Sequence, residues 1–466
     1  MKTLRDPQQL LAEGLGQIRA QFQVPASFPP DVLAAAAAAA RRIPSEHRDR
    51  TGETFVTLDP ASSTDLDQAF AIEASGTDLI LHYAIADVAW FVADGDPVDR
   101  EAWRRGTTTY LPDGKAGLYP PVLSEQAASL LPANFPPGGP RPAVVFAVRV
   151  ANDGAVKLDG AERALIRSSA KLAYDSVRDS DLPAGFAEFS ARIAAAEARR
   201  AAARFDTPEQ EVERDADGRL TLVLSPQLES ERRNAALSLA CNMAVADALL
   251  AAGTGLFRVM DPPDPRAIGR LHRTAEAFAL AWPKGHDLAR FERSLDPAEP
   301  RAAAFLLAVR RAGNGASYVP FRPGEVPWHA AMAASYAHAT APLRRLADRY
   351  VVRAALAVAN GRAVPAAVSA AFERLPATMA KAEAREGQIE RAVIDLAEAA
   401  LLSGREDEVF EALVTDIGQQ GARIQLCDMP VVARVVARGV LPGARLRVRL
   451  ISADSERRAL QFQRLS

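Results

Sequence analysis

Between Thr54 and Phe70 the chain reads T-F-V-T-L-D-P-A-S-S-T-D-L-D-Q-A-F, an acidic loop set between apolar runs. Phe55 to Leu58 has the composition of a short buried strand, and it delivers Asp59 into a turn. Pro60, Ser62, Ser63 and Thr64 let the chain double back. Asp65 and Asp67 follow, and apolar strands are expected beyond them at Ala69 to Ile72 and Leu79 to Val88. Charge at the ends of buried strands is costly unless it is solvated or paired. The fold must therefore open a solvated edge here or bring cations to it. Hard divalent ions such as Mg²⁺ take oxygen ligands of this kind. A solvated acidic turn satisfies the same spacing.

The rest of the chain falls into three stretches. In residues 1–48, Asp6 and Pro7 start one helix, with Leu10, Leu11, Leu15 and Ile18 at helical spacing. Asp31 starts a second, which runs through alanines to Ile43. The pair reads as a helix-turn-helix for nucleic acid or as a brace on the main domain. The brace is favoured, because only Arg41 and Arg42 in the second helix could meet phosphate. Residues 49–175 are strand-rich, interrupted by a long Gly/Pro segment from Thr107 to Ser124. Its aromatics, Tyr110 and Tyr119, either pack on the sheet or offer a flat face to a base. Residues 176–404 turn helical, with helices expected at Glu229 to Ala252, His329 to Asn360 and Pro365 to Ser403, among others. Strands first and helices later give an α+β fold.

One helical stretch carries its own signal. In H-A-T-A-P-L-R-R-L-A-D, Ala341 and Pro342 break the helix, and a restart at Leu343 puts Arg344 and Arg345 in a first turn. Cations are disfavoured there by the helix dipole. A phosphate clamp would account for them, as would pairing with Asp348. His82, His329 and His338 show no ligand spacing and read as hydrogen-bonding residues.

The last stretch, 405–466, breaks into short strands. In A-R-L-R-V-R-L, Leu446, Val448 and Leu450 face one way and Arg445, Arg447 and Arg449 the other. From Arg423 onward nine arginines meet three acids, whereas the whole 466-residue chain has a net charge of −2. Nucleic-acid binding must therefore come from local patches. A small five-stranded barrel with one basic face describes an OB fold with a groove for single-stranded nucleic acid. The alternative is an edge strand guarded by charge. Cys241 and Cys427 stand far apart, outside any zinc or disulfide pattern, and the first residues carry no secretory signal. The apolar run from Ala235 to Gly253 is interrupted by Asn242 and Asp247 and reads as a buried helix. The expectation is a cytoplasmic protein with no membrane contact.

Taken together, these segments resemble the ribonuclease II/R family of exoribonucleases, whose catalytic region is called RNB. The resemblance covers residues 45–466 and rests on ordered motifs: T-L-D-P-A-S-S-T-D-L-D-Q-A-F, H-Y-A-I-A-D-V-A-W-F-V, T-Y-L-P-D then L-Y-P-P-V-L-S, S-A-K-L-A-Y-D, and Y-A-H-A-T-A-P-L-R-R-L-A-D. It implies an RNB catalytic domain over 49–404 and an OB-fold RNA-binding domain over 405–466. It implies 3′-to-5′ hydrolysis of single-stranded RNA to nucleoside 5′-monophosphates by a monomer, with Mg²⁺ or Mn²⁺ as cofactor. Asp59, Asp65 and Asp67 match the first three acids of the family motif and would bind metal, with Asp65 and Asp67 catalytic. Gln68 occupies the fourth position, where its carbonyl oxygen could coordinate without adding charge. Arg344 matches the arginine that holds the scissile phosphate, and Tyr110 the aromatic that stacks on the 3′-terminal base. Tyr174 and Glu390 match further residues at the RNA 3′ end. Arg345, Arg445, Arg447 and Arg449 complete the expected RNA contacts.

The resemblance has departures. Pro263 stands where a base-sandwiching phenylalanine is expected, and Ala235 and Ala236 where an acid is usual. Helical residues 1–48 take the place of the two cold-shock domains that normally precede the catalytic region. The rival expectation is a weakened family member that binds RNA as a scaffold.

Overall fold

The computed structural model describes residues 7–132, 138–203, 209–214, 220–225, 227–296, 299–313, 315–418 and 421–465. Asp6, expected to start the first helix, lies outside them. The fold is α+β, organised on a seven-stranded mixed sheet. Its order is Arg48–Asp49, Val156–Ile166, Arg141–Val150, Asp78–Ala86, Gln68–Ser75, Phe55–Asp59 and Ser168–Ala173. The inner neighbours pair antiparallel, while the outermost strand at each edge runs parallel to its neighbour. Strand Arg141–Val150 is buried along almost all its length, as its unbroken apolar run requires of a strand covered on both faces. Helix Glu229–Ala251 buries Leu237, Ala240, Cys241 and Ala244 in the same core. It is long and apolar enough to cross a membrane by composition, yet here it packs inside the protein.

Both N-terminal helices dock on this body. Helix Pro7–Gln21 sinks Leu10, Leu11, Leu15 and Ile18 against Ile389, Val393 and Leu396 of the long helix Ala366–Leu402. The approach is close enough that a Cβ at Gly14 would fall 2.4 Å from Leu396 Cδ1. Helix Pro30–Ala39 adds Val32, Ala36 and Ala39 to the main core.

The expected helix over 329–360 is shorter than its periodicity suggests, running only from Leu346 to Ala359. Its N-terminal half is irregular because distant groups take the backbone donors. Ala341 N donates to Asp348 Oδ2 at 2.8 Å and Leu343 N to Asp67 Oδ1 at 2.6 Å. Leu346 N donates to Gly106 O, and Thr108 N to Arg344 O. Arg344 and Arg345 therefore precede the helix, with Arg345 extended at its cap position. The dipole cost expected of a first-turn arginine does not arise in that form.

The C-terminal strands close into a barrel in the order Val409–Gly418, Gly421–Leu426, Val432–Val435, Ala459–Arg464, Arg445–Asp454. This is the five-stranded barrel architecture of an OB fold. Leu446, Val448 and Leu450 fill its interior, while Arg445, Arg447 and Arg449 are exposed on the alternate face.

Candidate active site

A cavity of about 1310 Å³ opens where strand Phe55–Asp59 ends. Asp59, Asp65, Gln68, Tyr110, Tyr174 and Arg344 all line it. These residues come from four separate stretches of the chain, and the loop 60–67 explains how the acids reach it. Leu66 is fully buried, its N–H donates to Ser129 Oγ, and its carbonyl accepts from Leu130 N. Ser129 Oγ in turn donates to Thr64 O at 2.8 Å. With Leu66 pinned inward, Asp65 lines the cavity while Asp67 lies buried against the 341–345 segment.

Asp67 is 2% exposed and fully engaged. Oδ1 accepts from Leu343 N, and Oδ2 accepts from Arg344 Nε at 2.7 Å. Burial pushes its carboxyl up to about 7, against the opposing pull of Arg344 and the Leu343 N–H. The Arg344 side chain remains 41% exposed, so the pair joins a buried carboxylate to a guanidinium that borders the cleft. Asp59 is likewise raised, to about 6, chiefly by burial, with Arg344 opposing and Asp65 reinforcing. Asp65 is held on one oxygen by Lys115 Nζ at 2.8 Å and on the other by the Tyr110 hydroxyl at 3.3 Å.

The remaining expected residues divide. Tyr110 is 48% exposed on the short hairpin Thr109–Leu111 and Gly114–Ala116 and lines the cavity. The Tyr174 hydroxyl accepts from Asn234 Nδ2 at 2.9 Å, and Asn234 also donates to Leu58 O, which ties the tyrosine to the strand that ends in Asp59. Arg345 does not line the cavity. Nε and Nη2 both donate to the buried carboxylate of Asp348, the alternative its sequence position left open. Glu390 is exposed on the helix Ala366–Leu402, outside the cavity lining. Arg445, Arg447 and Arg449 belong to the barrel surface and also lie outside it.

The expected ligand set divides by position. Gln68 Nε2 donates to Thr340 O, and its Oε1 accepts from the Tyr83 hydroxyl at 2.7 Å. Its amide is thus held by the wall, and Asp67 accepts from Arg344 and Leu343. Among the described residues, no three histidine, cysteine or acidic side chains stand together as a metal site. Asp59 and Asp65 line the cavity and bring hard oxygen donors to it. Mg²⁺ is commonly held by one or two carboxylates, with water and phosphate oxygens completing the shell, so this pair fits such an ion.

Sequence reasoning missed Lys115, Asn234, Ser129 and Tyr83. Lys115 follows the turn Asp113–Gly114 in the Tyr110 segment, which marks a hairpin and hence a partner opposite Tyr110. The other three act through contacts 60 or more residues away or, for Tyr83, 15 away, and no local signal marks them. Ala235 and Ala236, noted for the absence of an acid, do line the cavity.

The RNB domain profile matches residues 47–360, and that of the RNase II-type exonuclease C-terminal S1 domain matches 408–465. The chain belongs to the RNB family. It is 28% identical over 436 residues to ribonuclease R of Aquifex aeolicus, covering 87% of this chain and 60% of that protein. It is 30% identical over 417 residues to exoribonuclease 2 of Cronobacter sakazakii, covering 84% and 62%. The chain thus spans about three fifths of the length of these curated relatives. Its fold is that of Mycoplasma genitalium RNase R, solved in complex with ribose-methylated single-stranded RNA. The TM-score is 0.85 at 20% identity, over 99% of this chain and 78% of the other.

Proposed function

We propose that this chain is a 3′-to-5′ exoribonuclease that hydrolyses single-stranded RNA to nucleoside 5′-monophosphates. The observation that carries the reading is the contact between Asp67 and Arg344, 277 positions apart, beside two further acids and two tyrosines on one cavity. The names of the relatives, ribonuclease R and exoribonuclease 2, support the same activity.

Each side chain has work that its placement allows. The Tyr110 ring offers a stacking surface for the terminal base, and stacking is sequence-tolerant. Arg344, held through Nε by Asp67, offers its terminal nitrogens to the non-bridging oxygens of the scissile phosphate. Because Asp67 and the Leu343 N–H fix the guanidinium beforehand, it stabilises developing charge without reorganising. Tyr174, locked by Asn234, borders the same space beside Asp59. Asp59 and Asp65 would hold Mg²⁺ or Mn²⁺, which when bound lowers the pKa of the attacking water and offsets phosphoryl charge. Contacts to the 2′-hydroxyl would separate RNA from DNA.

The test is 5′-labelled single-stranded RNA incubated with and without Mg²⁺. A ladder shortening one nucleotide at a time, absent with EDTA and absent on the 2′-deoxy strand, is expected. Gln68 motivates the scaffold reading, which predicts RNA retained intact under every condition.

A further inference from the structure

We propose that Lys115 is a positioning residue for Asp65, itself fixed by Glu125. The inference rests on the reading of Asp59 and Asp65 as cation ligands and adds the groups that aim one of them. In the hairpin 109–116, Lys115 stands directly across from Tyr110. Cross-strand pairs share one face of a ribbon, so both side chains reach the same target. That target is Asp65, with the Tyr110 hydroxyl on Oδ2 and Lys115 Nζ on Oδ1.

The ammonium is itself immobilised. Its three N–H groups meet Asp65 at 2.8 Å, Glu125 Oε1 at 3.0 Å and Thr64 Oγ1 at 3.5 Å. Glu125 sits in the turn Val122–Ala127, separate from the acidic loop, so Lys115 bridges two elements. Asp65 lines the cavity, whereas neither Lys115 nor Glu125 does. Lys115 thus holds Asp65 from outside the cavity lining, while Tyr110, its second partner, lines the cavity. It does not take the place of a cation in the cleft; it sets the direction in which the carboxylate faces. This distinction has a measurable sign. If Lys115 only neutralised Asp65, its removal would tighten divalent-ion binding through reduced repulsion. If it orients Asp65, removal loosens binding, and lost orienting partners typically cost 10–100-fold in affinity.

The experiment is a MnCl₂ titration of the full chain, with free Mn²⁺ read by electron paramagnetic resonance and folding checked by thermal melting. Lys115→Met should bind Mn²⁺ about 10-fold more weakly, and Lys115→Arg should recover most of that loss. Glu125→Gln should weaken binding about threefold alone and add nothing in the Lys115→Met background, since it acts through the lysine. Mn²⁺ binding by Lys115→Met as tight as native or tighter overturns the proposal, as does a Glu125→Gln effect that persists without the lysine. Should Lys115→Met fail to fold, native affinity in Glu125→Gln overturns it instead. A native chain that binds no Mn²⁺ overturns the cation reading beneath it, an outcome distinct from failure of Lys115 alone.

Discussion

The cleft and the barrel both place arginine where RNA is expected, and they do so in opposite ways. In the cleft, Arg344 leans on a carboxylate buried to 2% exposure, which the Leu343 N–H of the 341–345 segment holds in turn. On the barrel, Arg445, Arg447 and Arg449 stand in a row on the outer face of one strand, and the nearest acid to Arg447 is Glu411 at 3.7 Å. The first arrangement fixes one guanidinium in one geometry. The second spreads charge over a surface that salt screens readily. The difference matches two proposed roles for one residue type: action on a bond in the cleft, and affinity on the barrel.

Substitution at each place should separate these roles. The largest effect is expected at Arg344→Ala, which should slow nucleotide release at saturating RNA by roughly 10²-fold or more while RNA affinity changes far less. Comparable losses in both quantities would show that Arg344 serves binding instead. Replacing Arg445, Arg447 and Arg449 together with alanine should weaken RNA binding by about 10-fold and flatten its salt dependence. The saturated rate should stay near native, and a rate that falls with unchanged affinity would remove the contrast.

The smallest effect belongs to the joint between the regions. Glu398, on the long helix, accepts from Val432 N of the barrel at 2.7 Å and from Gln210 Nε2 at 2.8 Å. Burial raises its carboxyl from the ordinary 4.5 to about 7. The folded state therefore holds this proton more tightly than the unfolded chain does. The stabilisation is complete below about pH 4.5 and is lost as pH rises through about 7. Glu398→Gln, which stays uncharged and can still accept both hydrogen bonds, should gain on the order of 1 kcal/mol over native at pH 8 and nothing at pH 4. Denaturant melts at the two pH values would show it, and an equal shift at both would rule out the titration.

Much of this contrast was legible in the sequence. Period-two alternation in A-R-L-R-V-R-L placed the barrel arginines outward, and the structure keeps that register. The apolar runs flanking the acids marked the sheet strands, and the ordered motifs brought Arg344 toward Asp67. The reading faltered where structure is made by distant partners. The 329–345 segment has helical periodicity, but carboxylates of Asp67 and Asp348 capture its backbone donors and hold it open. The same capture engages Asp67, and Gln68 is held by Thr340 and Tyr83, contacts that spacing does not reveal. Arg345 pairs with its near neighbour Asp348, the second of the two readings its position allowed. The pinning of Leu66 by Ser129, on which the division of labour between Asp65 and Asp67 depends, has no local signature.

The central claim is that Asp67 and Arg344 act as one unit on the bond being cut. A double-mutant cycle of Asp67→Asn and Arg344→Ala, read as single-turnover release of the 3′ nucleotide, tests it most directly. The account predicts that the double variant is no slower than the slower single one, because either change alone disables the pair. Losses that multiply in the double variant would show two independent contributions and contradict it.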